Sequence, residues 1–197
     1  MSKHKQKTGY ACIAIGTSHG GFEALKSILW PLPKDFSVPI LIVRHQAPDT
    51  DEYVISALQN VSALNIAFAE NGETPQPGNV YLAPPDQHMT IDANGAISLK
   101  HGPKINYSRP AIDPLFESVS AHYGSDALAI VLTGANNDGA KGAAMVKSQG
   151  GTVIVQDPNS AEAPEMPNAA LEKTKVDEVV WLDQIGPHIW TLCRMKN

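Results

Sequence analysis

Ser18, His45 and Asp138 are the side-chain types that acyl transfer requires. A serine hydroxyl is a poor nucleophile until a base takes its proton. An imidazole does that near neutral pH, and a carboxylate fixes the imidazole tautomer and stabilises the imidazolium that forms. Ser18 stands in Gly16-Thr17-Ser18-His19-Gly20, a G-x-S-x-G string of the kind that carries a nucleophile on a sharp strand-to-helix turn. The glycines permit such a turn, and the free N–H groups at the following helix start could stabilise an oxyanion. Each residue also has a plainer reading. Ser18 could cap a helix beginning at Gly21, His45 could be a polar residue closing a strand, and Asp138 could form a turn or cap the helix from Gly139. His19 is an alternative base, ranked below His45 because it shares one tight turn with Ser18.

The elements around these residues favour one site over three coincidences. Cys12-Ile13-Ala14-Ile15, Pro39-Ile40-Leu41-Ile42-Val43 and Ala127-Leu128-Ala129-Ile130-Val131-Leu132 are continuous apolar runs that read as buried strands. Ser18, His45 and Asp138 follow the carboxyl ends of these three strands, where open parallel sheets bind ligands. Helical spacing follows the first strand through Phe22, Leu25, Ile28 and Leu29, and further helices are predicted over about Asp51–Asn60 and Asp113–His122 and through Met145 and Val146. Ile66–Ala69, Val80–Ala83, Thr152–Val155 and Glu178–Trp181 read as further strands, and Ile185, Ile189 and Leu192 mark a last helix. Met89–Asp92 and Ala96–Leu99, joined across Asn94-Gly95, predict a hairpin flap on the main sheet. The alternation predicts a doubly wound α/β fold, with a mainly parallel sheet, helices on both faces and a β-hairpin insertion. Residues 1–197 are expected to form a single domain.

Composition narrows the function classes. The 197 residues are 43% hydrophobic and 18% charged, enough for a packed core. The net charge of -5 argues against a broad nucleic-acid surface. Cys12 and Cys193 are too few and too far apart for a disulfide framework. The apolar stretch after Lys3, Lys5 and Lys7 ends at Gly16, too soon for a signal peptide or membrane span, so a soluble cytoplasmic protein without membrane insertion is expected. The seven histidines form no H-x-x-x-H or His/Cys cluster, and no metal or other cofactor is expected. The first turn lacks both G-x-G-x-x-G and a Walker lysine, and the order Ser, His, Asp differs from that of α/β-hydrolases.

The chain resembles the catalytic domain of the CheB-type protein-glutamate methylesterases of bacterial chemotaxis. The resemblance rests on Ala14-Ile15-Gly16-Thr17-Ser18-His19-Gly20-Gly21, Arg44-His45-Gln46-Ala47-Pro48, Gly78-Asn79-Val80-Tyr81-Leu82-Ala83-Pro84 and Asp86-Gln87-His88-Met89. It continues through Gly102-Pro103-Lys104-Ile105-Asn106-Tyr107-Ser108-Arg109-Pro110, Asp113, Leu115-Phe116 and Leu132-Thr133-Gly134-Ala135-Asn136-Asn137-Asp138-Gly139. It implies hydrolysis of glutamate γ-methyl esters on chemoreceptors, with deamidation of receptor glutamines as a further activity. Ser18 matches the nucleophile, His45 the general base and acid, and Asp138 the orienting carboxylate. His19 stands where threonine is usual and Ala135 where methionine is common, both beside the expected oxyanion region. About ten residues precede the first strand, so the receiver domain that commonly regulates the family is expected to be absent. The reading from another class is a non-catalytic binding module on the same scaffold.

Overall fold

The computed structural model describes residues 9–47 and 53–194. The start of the predicted second helix at Asp51, Pro48 and the lysines near the N-terminus lie outside these residues. Seven strands form one parallel sheet: β1 (Cys12–Thr17), β2 (Ile40–Arg44), β3 (Asn65–Phe68), β4 (Asn79–Leu82), β7 (Ala127–Val131), β8 (Thr152–Gln156) and β9 (Glu178–Val180). Their order is β3-β4-β2-β1-β7-β8-β9, with every neighbouring pair parallel. The chain leaves β1 towards β2 on one side and is met by β7 on the other. This reversal of winding direction opens a crevice at the carboxyl end of β1.

Strand residues alternate between two cores. Ile13, Ile15, Ile40, Ile42, Leu128 and Ile130 face α1 (Gly21–Leu29), α2 (Tyr53–Gln59) and α6 (Leu182–Arg194). Cys12, Ala14, Leu41, Val43, Ala129 and Val131 face α3 (Ile112–Tyr123), α4 (Ala140–Ser148) and α5 (Glu165–Lys173). Strands buried on both faces are therefore continuously apolar, as the sequence runs predicted. Cys12 and Cys193 belong to opposite cores, separated by the sheet. Among the described residues no helix is long and apolar enough to cross a membrane.

The hairpin β5 (His88–Ile91) and β6 (Ile97–Lys100) is antiparallel and forms its own two-stranded sheet. Met89, Ile91 and Ile97 enter the α3 side of the core, and Ile91 N–H donates to Ser118 Oγ at 2.9 Å. The flap is therefore joined to the domain by core side chains, by α3 and by backbone hydrogen bonds between Ile97 and Gly72 and Glu73, both at 2.8 Å, not by pairing with the main sheet. Its turn is also longer than Asn94-Gly95. Asp92 Oδ1 accepts the amides of Asn94 and Ala96 at 2.8 and 2.9 Å, and Asp92 N–H donates to Ala96 O at 2.8 Å, so these residues close the turn beyond the last ladder pair, Ile91 and Ile97.

Gly16 on β1 permits the approach of α3 to the sheet. A Cβ there would lie 2.3 Å from Cγ2 of Ile112, a fully buried β-branched residue with little freedom to move. Gly16→Ala is expected to destabilise the fold by about 1–3 kcal/mol through overpacking. A lower urea midpoint at unchanged m-value would register it.

Candidate active site

β1 ends at Thr17, and the turn to α1 is fastened across the sheet. Ser18 N–H donates to Thr133 O at 3.0 Å, Thr17 Oγ1 donates to the same carbonyl at 2.9 Å, and Thr133 Oγ1 donates to His19 O at 2.9 Å. The left-handed residue of this turn is Gly20, with φ 74°, while Ser18 keeps an ordinary φ. Ser18 thus differs from the strained serine that the G-x-S-x-G reading suggests. Nor does it cap the helix, because α1 has Gly20 at its N-cap and no side-chain cap. Ser18 is half-buried and lines a cleft of about 390 Å³ together with His19, Gly20, Phe22, Arg44 and His45.

His45 follows β2, its N–H held by Thr17 O at 3.0 Å. Its side chain is 11% exposed, and its Nε2 lies 2.7 Å from Oδ2 of Asp138, which is 0% exposed. Asn136 settles the imidazole tautomer. Its Oδ1 accepts Asp138 N–H at 3.0 Å, so its Nδ2 is the group that points to His45 Nδ1 at 3.2 Å. Nδ1 is therefore the acceptor, and Nε2 carries the proton donated to Asp138. The lone pair available for general-base work is on Nδ1. Among the described residues no hydrogen bond joins Ser18 Oγ to His45; Asn136 occupies Nδ1 in this resting arrangement.

Asp138 is held by more than histidine. Its Oδ2 accepts Ile112 N–H at 2.7 Å, and its Oδ1 accepts Asp113 N–H at 3.1 Å, Gly139 N–H at 3.0 Å and Asn106 Nδ2 at 2.8 Å. It therefore caps α3 rather than α4: the first turn of α3 supplies two amides, and its helix dipole favours the negative charge. Asp113 returns the arrangement by accepting Gly142 N–H of α4 at 2.7 Å. Burial by itself would raise the Asp138 carboxyl. The hydrogen bonds from His45, Ile112 and Asn106 and the charge of His45 outweigh it and hold the group below its ordinary value. Asp113 moves upward, chiefly through burial and also through the nearby Asp138 charge, against the opposing hydrogen bonds from Gly142 and Asn106.

Asn106 donates one amide group to both acids, at 2.8 Å to Asp138 and 3.0 Å to Asp113. It sits in a left-handed conformation, with φ 48°, beside Tyr107 at φ 63°. Asn106→Ala is expected to cost about 1–3 kcal/mol of stability, because two buried carboxylates lose a shared donor. Chemical denaturation at neutral pH measures it.

The two residues placed beside the oxyanion region by sequence stand on adjoining loops. His19 lines the cleft, and its ring Nε2 lies 3.0 Å from Glu162 Oε1. Ala135 is exposed between Gly134 and Asn136. A Cβ on Gly134 would lie 2.8 Å from Ser18 Cβ, so this turn packs directly on Ser18. The amides of His19, Gly20 and Ala135 have no acceptor among the described residues. Asn106, Asn136 and Thr133 were legible only as letters within motifs; no spacing announces that they hold an acid, an imidazole and a turn.

The parallel α/β sheet brings a serine, an imidazole and a buried carboxylate to the strand ends at its switch point, the side-chain types that acyl transfer uses. The chain belongs to the CheB methylesterase family, whose family model matches residues 13–189. The crystal structure of the Thermotoga maritima CheB methylesterase catalytic domain superposes with a TM-score of 0.89 at 36% identity, covering 93% of this chain and 98% of that one. A Caulobacter vibrioides protein-glutamate methylesterase/protein-glutamine glutaminase is 39% identical over 186 residues, which are 92% of this chain and 54% of the relative. The Salmonella typhimurium enzyme of the same name is 38% identical over 177 residues, 88% of this chain and 50% of its own. The chain thus spans about half the length of these two relatives. A Leptospira interrogans relative, which bears the same name provisionally, is 42% identical over 177 residues and is matched over 92% of its length.

Proposed function

We propose that this chain hydrolyses glutamate γ-methyl esters on a chemoreceptor, with residues 1–197 acting as one catalytic unit and Ser18, His45 and Asp138 as the catalytic triad. The observation that carries the reading is the His45 ring: Asp138 fixes its Nε2 proton, leaving the Nδ1 lone pair beside a cleft that Ser18 lines. Ser18 Oγ attacks the ester carbonyl carbon as its proton passes to Nδ1, and the amides of His19 and Ala135 receive the developing oxyanion. The tetrahedral intermediate collapses with transfer of the Nδ1 proton to the departing methoxide, releasing methanol and leaving an acyl-enzyme. Water then attacks that carbonyl, returning its proton through Nδ1 to Ser18 and releasing the glutamate carboxylate. For the proton to move, the Ser18 hydroxyl takes the place of Asn136 at Nδ1 when substrate binds; hydrogen bonds of this kind tighten in substrate complexes.

A glutamine side chain reaches the same acyl-enzyme with loss of ammonia, and the names of the curated relatives include this activity. Membership of the family supports a chemoreceptor as the substrate and a cytoplasmic site of action. Incubation with receptor membranes carrying labelled glutamyl methyl esters tests the reading. Methanol release is expected; its absence, with ammonia release from the glutamine form also absent, overturns the hydrolase and favours a binding module.

A further inference from the structure

The cleft contains a charge that no acid among the described residues balances. Arg44 is the last residue of β2, one position before His45. Strand alternation sends it to the α1 side, following Ile42, while His45 turns to the α3 side, following Val43. Arg44 consequently reaches the α1 flank of the cleft that His45 reaches from the other flank. Its Nη2 donates to the neutral Oε1 of Gln46 at 3.3 Å. Its Nε is buried with no hydrogen-bond acceptor among the described residues.

No carboxylate among the described residues forms an ion pair with Arg44. Glu23, the acid of the cleft lining, is engaged by Lys26 at 3.0 Å. Arg109 shows what the same chain builds for a structural guanidinium: Nε and Nη2 grip Asp86 Oδ1 at 2.8 and 2.6 Å, and Nη1 donates to Gly102 O at 2.6 Å. A half-buried guanidinium bears the cost of desolvation without the compensating pair that Arg109 has. Burial accordingly draws the Arg44 pKa downward. The planar guanidinium fork matches a carboxylate better than any other side-chain group.

We infer that Arg44 receives a carboxylate side chain of the substrate polypeptide lying beside the ester-bearing glutamate, and so makes an acidic sequence context a determinant of substrate choice. This rests on the proposed hydrolysis at Ser18. The interaction is electrostatic and partly desolvated, so it favours an acidic flank over its amide isostere by roughly ten-fold at low salt and weakens as salt is added.

The test uses two helical peptides with one glutamyl methyl ester each, differing only in glutamate or glutamine at the flanking positions. The readout is the ratio of kcat/KM for the acidic peptide to that for the amide peptide. Roughly ten is expected for the wild-type chain, with a ratio near one for Arg44→Gln and an intermediate value for Arg44→Lys. A wild-type ratio near one, or a ratio undiminished in Arg44→Gln, overturns the role of Arg44. If neither peptide is hydrolysed, the Ser18 reading fails, and fluorescence anisotropy with Ser18→Ala still decides about Arg44. Tighter binding of the acidic peptide, abolished by adding Arg44→Gln, supports it; equal binding of the two peptides overturns it.

Discussion

Ser18→Ala is expected to lower kcat for glutamyl methyl ester hydrolysis by about 10⁵–10⁶-fold, the scale on which serine hydrolases lose activity when the nucleophile is removed. The substitution deletes one oxygen at a half-buried position and leaves intact the features that hold the turn. The Ser18 amide on Thr133 O, the Thr133 hydroxyl on His19 O and the glycine N-cap of α1 involve no serine side-chain atom. Stability should therefore stay within about 0.5 kcal/mol of the parent, which separates loss of chemistry from loss of fold. The residual rate reports what the cleft and its amides contribute without a nucleophile. Methanol release under single-turnover conditions, with a urea melt on the same preparation, gives both numbers. A rate within ten-fold of wild type would remove Ser18 from the mechanism.

Asp138→Asn is expected to cost about 10⁴-fold in kcat. The reason lies in how the carboxylate is surrounded. Its Oδ1 accepts three donors, from Asn106, Asp113 and Gly139, while its Oδ2 faces His45 Nε2 and the Ile112 amide. An asparagine places its oxygen where the three donors converge and its NH2 towards Nε2. Nε2 must then accept, the ring proton moves to Nδ1, and the nitrogen needed as base is blocked. The pH dependence of stability gives a second, independent signature. The folded-state pKa of Asp138 is depressed, so its ionisation contributes stability that is present above the unfolded carboxylate value of about 3.9 and lost as pH falls through the lower folded value. The wild type should lose this contribution in strong acid. The amide of the Asp138→Asn variant does not titrate, so that protein should show a flatter acid limb. Equal acid limbs for the two proteins would mean that the carboxylate is not held as described.

The residues that read most clearly in the sequence are those whose signal is local. Cys12–Ile15, Ile40–Val43 and Ala127–Val131 are apolar without interruption because helices cover both faces of the sheet, and a run of that kind needs no distant information. The hairpin shows where local reading stops. Asn94-Gly95 marks a turn correctly, but the Asp92 carboxylate, by accepting two amides, decides its length, and α3 decides where the flap rests. G-x-S-x-G likewise marks the strand-to-helix turn, while the fastening of that turn by Thr133 comes from a strand end more than a hundred residues away.

Periodicity and motifs are properties of neighbouring residues. They were enough to establish the doubly wound α/β class, the positions of Ser18, His45 and Asp138 after three strand ends, and the family resemblance. Folding was needed to settle which histidine nitrogen faces the acid, that Asp138 caps α3 and not α4, that Asn106 holds two acids together, and that Arg44 lies in the cleft without a counter-ion among the described residues. Each of these depends on which side chains from distant segments converge and which donors remain unmatched after folding. Hydrogen bonds and ion pairs act over about 3–4 Å in space, and sequence separation carries little information about that distance.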